Sequence, residues 1–171
     1  MKRRLELFFA IGLLLFAFSF VFLVLGGEKL AWRYGLVDDV IVHSAGSEYW
    51  YKKDDYIRWR MEELIRVAKD LGVFEKKIMP IRLVPRNLER LRALAAASRT
   101  IFHSNIYFDY YYLKNSSMFD LDATIIHEFA HLIVSDGPDG HGKQWQKMCN
   151  TISLHANFFA GKKVWPYLCL G

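Results

Sequence analysis

Leu7 to Leu25 form an uninterrupted run of 19 residues without a charge (LFFAIGLLLFAFSFVFLVL), and no other feature limits the chain as much. At 1.5 Å per residue, a helix of that length crosses the roughly 30 Å hydrocarbon layer of a bilayer. A cleaved signal peptide usually has a shorter apolar region followed by small residues. Only Val24, Gly26 and Gly27 faintly suggest such a site, so the run is read as an uncleaved anchor. Lys2, Arg3 and Arg4 precede it, while Lys29 and Arg33 come after it more thinly. Cations accumulate on the cytoplasmic flank, so the N-terminus is expected inside, with a single pass and the remaining chain on the extracytoplasmic side.

If residues 1–27 are the anchor, residues 28–171 remain for one domain of common size. No internal repeat, low-complexity tract or long linker divides them. With 53% apolar and 24% charged residues, the chain is neither disordered nor fibrous in composition. Beyond Gly26, 20 basic residues face 17 acidic ones. That excess is too small to argue for nucleic acid, although Arg82, Arg86, Arg90, Arg92 and Arg99 are locally concentrated. A solvated helix face is the simpler account of them. Cys149 and Cys169 are too few for a disulfide framework or a four-cysteine zinc site. A pair formed in an oxidising compartment and two small buried thiols both stay open.

Past the anchor, Asp54 or Asp55 can cap a helix that runs to about Leu71. Ile57, Met61, Leu64, Ile65, Ala68 and Leu71 lie on one face of it, and Gly72 is its stop. A shorter helix is expected from Asn87 to Ala97. Thr100 to Phe102 and Ile106 to Leu113 are rich in β-branched and aromatic residues, so they are expected as a pair of strands split by a turn at Ser104-Asn105. Their tyrosines fit sheet packing better than catalysis.

The helix expected from about Asp120 to Val134 contains His127-Glu128-Phe129-Ala130-His131. At 100° per residue, His131 falls about 40° and Glu128 about 100° from His127, while Ile125, Ile126, Phe129, Leu132 and Ile133 occupy the opposite side. Histidines at i and i+4 lie about 6 Å apart along the axis, so their ring nitrogens can converge on one Zn²⁺. Glu128 is not placed to ligate, but it can reach a water on that metal and act as general base. Two histidines and a glutamate could instead be the solvated stripe of an amphipathic helix. The apolar back face and the preceding strands weigh against that.

A catalytic zinc normally takes a third protein ligand. No glutamate occurs after Glu128, which disfavours a thermolysin-like site, and Val134 and Gly137 stand where metzincins carry Gly and His. Site-2-type proteases pair the motif with a later Asp-Gly, present here at Asp136-Gly137 and Asp139-Gly140, but need further spanning helices. The chain instead presents His141-Gly142-Lys143-Gln144-Trp145, with nine residues between His131 and His141 and a Gly-Pro-Asp-Gly turn in the gap. Over roughly Ile81 to Cys149 the chain resembles the SprT-like (Spartan-like) metallopeptidases, whose pattern is H-E-x-x-H, a short loop, then His-Gly-x-x-aromatic opening a helix. The resemblance implies His127, His131 and His141 as zinc ligands and Glu128 as catalytic base. Some members of that family carry DNA-binding or zinc-ribbon modules and act on proteins crosslinked to DNA. This chain has the apolar run and no cysteine-rich ribbon, so fold and chemistry transfer better than substrate.

The sequence thus predicts an α+β, zincin-like metallopeptidase domain, a small mixed sheet packed on the active-site helix, after one N-terminal transmembrane helix. The cofactor is Zn²⁺, the partners are a protein or peptide substrate and the membrane through residues 7–25, and nucleic acid is the less favoured partner. Two alternatives stand beside it. One is the same protease facing the cytoplasm and acting near nucleic acid. The other is a non-catalytic zinc-stabilised binding module, whose fourth ligand would come from Cys149, His155 or Cys169.

Overall fold

The computed structural model describes residues 11–17, 19, 27, 29, 31–35, 37–43, 47–75, 78–100, 103–134, 140–156 and 169. No helix among them is long and apolar enough to cross a membrane. The expected span at 7–25 lies mostly outside the described residues, which include only 11–17 and 19 of it, all helical.

Among the described residues from Val40 onward, four strands and four α-helices make one α+β layer pair: β1 (Val40–Val42), α1 (Asp54–Asp70), β2 (Ile81–Arg86), β3 (Ala95–Arg99), β4 (Ser104–Asp109), α2 (Tyr110–Asn115), α3 (Met118–Ile133) and α4 (Lys143–His155). The sheet order is β1-β2-β4-β3. β1, β2 and β4 are parallel and β3 runs antiparallel to β4. Pro85 is tolerated in the inner strand β2 because β1 pairs only as far as Leu83, so no partner strand faces the missing N–H. Alternation sends Ile81 and Leu83 of β2 and Ile106 and Phe108 of β4 to one face, all fully buried. Against them lie Ile57, Met61 and Leu64 of α1, Leu121, Ile125 and Phe129 of α3, and Trp145 and Ile152 of α4.

Local signals account for most of the boundaries. α1 ends at Asp70, and Gly72 comes two residues later at φ +68°, the left-handed conformation that closes a helix C-terminus. Lys53 rather than either aspartate occupies the N-cap of α1, and no side chain caps it. Lys53 instead donates from Nζ to the carbonyl and hydroxyl of Ser116 at 2.7 and 3.0 Å, pinning the α2–α3 junction. Ser117 caps α3, accepting from the Asp120 N–H at 3.1 Å and donating to the Asp120 carboxylate at 2.7 Å.

The segment before α3 differs from expectation. Residues 87–97 form a 3-10 turn at Glu89–Leu91 and then strand β3, not a helix. Ser104 and Asn105 are the first residues of β4 rather than a turn. The reversal lies earlier, where the Thr100 N–H meets the His103 carbonyl at 2.9 Å; Ile101 and Phe102 fall outside the described residues. The strand expected to continue to Leu113 stops at Asp109, whose Oδ1 accepts from the N–H groups of Tyr111 and Tyr112 and starts α2.

Beneath α3 lies a buried ion pair that no spacing announced. Arg60 of α1, 3% exposed, donates from Nε and Nη2 to the two oxygens of Asp122, 1% exposed, at 2.5 and 3.0 Å. Its Nη1 reaches the Ala156 carbonyl at the end of α4 at 2.9 Å, and the Tyr56 hydroxyl donates to Asp122 at 3.1 Å. One guanidinium thereby ties α1, α3 and α4 together.

Candidate metal centre

α3 packs on β3 and α4, and the three histidines meet in the angle between the two helices. His127 and His131 project from successive turns of α3, while His141 stands just before Gly142, the N-cap of α4. Gly140, at φ +52°, supplies the left-handed turn that brings His141 back over α3. The Nε2 atoms form a nearly equilateral triangle: 3.3 Å from His127 to His131, 3.1 Å from His131 to His141, and 3.1 Å from His141 to His127.

That triangle cannot be satisfied by hydrogen bonds among its own members. Each Nε2 of a neutral imidazole is either a donor or an acceptor, and around a ring of three the roles cannot alternate. At least one contact must set two like nitrogens against each other. A cation that accepts all three lone pairs removes the conflict. Ligands 2.0–2.1 Å from a tetrahedral ion stand about 3.3 Å apart, so the spacing fits Zn²⁺. Three ligands also leave a coordination position open, as catalytic zinc requires.

Glu128 is 6% exposed. Burial pushes its carboxyl up to about 7, opposed by a hydrogen bond from the Ala97 backbone N–H. The sheet register explains that bond. The Asp109 N–H donates to the Leu94 carbonyl and the Thr100 N–H to the His103 carbonyl. Even-numbered residues of β3 therefore pair with β4, and Ala95, Ala97 and Arg99 turn their backbone groups to the outer edge. The Ala97 N–H in the middle of that row is the backbone donor beside the Glu128 carboxylate. Arg99 also ties β3 to the end of α3, donating from Nη1 to the Leu132 carbonyl at 3.0 Å.

The other candidate ligands fall away or lie elsewhere. Cys149 and Cys169 are joined in a disulfide. Exposed His155 has its Nδ1 2.8 Å from the Thr151 carbonyl, within its own helix. Asp136 and Asp139 lie outside the described residues. Among the described residues, His127, His131 and His141 are the group arranged to hold a metal ion. Nothing in the sequence signals the Ala97 N–H, since any residue but proline carries one. Trp145 stands in the family pattern, but spacing does not reveal that its ring borders all three imidazoles.

A small mixed α+β domain with three converging histidines and a buried carboxylate on one helix turn is the architecture of a zinc-dependent, peptidase-like enzyme. The model of the SprT-like family matches residues 51–163, about two thirds of the chain, and the chain belongs to that family. No match is found among curated proteins or among solved structures.

Proposed function

We propose that this protein is a membrane-anchored zinc metallopeptidase that hydrolyses peptide bonds of protein substrates, with residues 28–171 as its catalytic domain. The observation that carries the reading is the Nε2 triangle, which has no self-consistent arrangement of protons and the spacing of a tetrahedral zinc site. His127, His131 and His141 are the ligands and Glu128 is the general base. Zinc, when bound, supplies Lewis acidity, lowering the pKa of water and polarising a carbonyl. Glu128 takes the proton of the attacking water and returns it to the departing amine. Backbone groups on the outer edge of β3 pair with an extended peptide on either side of Ala97.

Two features support an extracytoplasmic domain. The Cys149–Cys169 disulfide belongs to an oxidising compartment. The helical residues Leu13, Leu14, Leu15 and Phe16 are 56–72% exposed, suited to lipid, behind the Lys2-Arg3-Arg4 cluster. The test uses the full chain purified in detergent. It should hold one zinc and cleave an unfolded protein, and Glu128→Gln should keep the zinc while losing about a thousandfold in turnover. Near-normal turnover by Glu128→Gln would reject the mechanism. Protease protection in sealed, oriented vesicles reads the topology, and a domain on the cytoplasmic side would reject that part.

A further inference from the structure

Trp145 is a fourth ring at the metal centre, with no part in the chemistry above. It is fully buried and sits on α4 one turn beyond His141. Its ring centroid lies 4.7 Å from that of His127, 4.9 Å from His131 and 4.4 Å from His141. It stacks on His131 at 25° and meets His127 and His141 at 64° and 70°, the tilted and edge-on geometries that aromatic pairs favour.

We infer that Trp145 is a positioning residue for the metal centre, a shared aromatic wall that holds the three imidazoles converged before the ion arrives and stabilises them once they carry its charge. The inference rests on the zinc reading above. Without the ion, three ring nitrogens 3.1–3.3 Å apart include at least one repelling pair, so side chains free to rotate would swing apart. A rigid ring in contact with all three restricts that escape, and the entropy of ordering the ligands is lost in folding rather than in binding. With the ion bound, each imidazole is polarised positive, and the electron-rich indole face stacked on His131 attracts that ring in a way an aliphatic side chain cannot. The arrangement also couples the two helices. His127 and His131 belong to α3, whereas His141 and Trp145 move with α4, so the wall and the third ligand keep one register against the first two.

The experiment measures Zn²⁺ affinity by competition with a chromophoric chelator, together with the visible spectrum of Co²⁺ in the site. It uses the full chain and the Trp145→Phe, Trp145→Leu and Ile152→Ala variants. Ile152 is a fully buried residue of α4 about 10 Å along the helix from Trp145, so its truncation loosens the helix without touching the wall. Trp145→Phe should weaken zinc about tenfold and Trp145→Leu about a hundredfold, the usual range for groups that orient ligands. The Co²⁺ bands should shift in both. Ile152→Ala should lower the thermal midpoint while keeping zinc affinity within twofold. If Trp145→Leu does not fold, Trp145→Phe against Ile152→Ala decides. Trp145 variants within twofold of the parent, or an Ile152→Ala loss equal to that of Trp145→Phe, would overturn the inference and leave the zinc reading intact. A parent chain that binds no zinc takes both down.

Discussion

Removing the Cys149–Cys169 crosslink should cost about 3 kcal/mol of stability. The two cysteines are 20 residues apart, and closing a loop of that length removes about 11 cal/mol/K from the unfolded chain, or about 3.3 kcal/mol at 25 °C. For a domain of about 140 residues the unfolding entropy is about 0.3 kcal/mol/K, so the midpoint should fall by about 10 °C. The assay is thermal unfolding at fixed free zinc of the parent chain and of Cys169→Ala. Each is measured with and without a phosphine reductant, since thiol reductants compete for the metal. Reduction should bring the parent down to the level of the variant and leave the variant unchanged. A loss below about 1 kcal/mol, or a parent indifferent to reduction, would refute the reasoning and remove the support the disulfide gives to an extracytoplasmic domain.

Other perturbations test the remaining parts. Glu128 titrates at about 7 when folded against an ordinary 4.5, so the folded state binds its proton more tightly. The metal-free parent should therefore lose about 3 kcal/mol relative to Glu128→Gln as pH rises from 4.5 through 7; parallel stability curves for the two proteins would contradict the burial argument. His141→Ala should abolish both high-affinity zinc binding and turnover, whereas His155→Ala should change neither by more than twofold, as metal analysis and a peptidase assay can read. Asp122→Ala leaves the buried Arg60 guanidinium with Glu63 as its remaining carboxylate partner, and should cost about 3–5 kcal/mol in urea unfolding.

The parts of the site governed by local spacing were legible in the sequence. His127 and His131 at i and i+4, with an apolar back face, defined α3 and two rings on one side of it before any tertiary information. The periodicity from Ile57 to Ala68 likewise defined α1. What could not be read depended on partners distant in sequence. Ala95-Ala96-Ala97 is a strong helix former, yet it lies extended because β4 offers it a ladder and, through Ile106 and Phe108, a buried face. Tyr110 to Leu113 have strand propensity, but the Asp109 carboxylate captures the N–H groups of Tyr111 and Tyr112 and the backbone coils. The Arg60–Asp122 pair joins residues 62 apart, and the Ala97 N–H became a functional group only through strand register.

The outer edge of β3 also bears on self-association. An edge strand of small residues with a row of outward N–H and C=O groups is a template on which a second copy of the domain can zip, continuing the sheet from molecule to molecule. Here the carboxylate of Glu128, from the neighbouring helix, lies next to the Ala97 N–H at the centre of the row. A second copy pairing along the whole edge would have to compete with that carboxylate for the central donor. The carboxylate proposed for chemistry thereby also weighs against edge-to-edge joining of two copies of the domain.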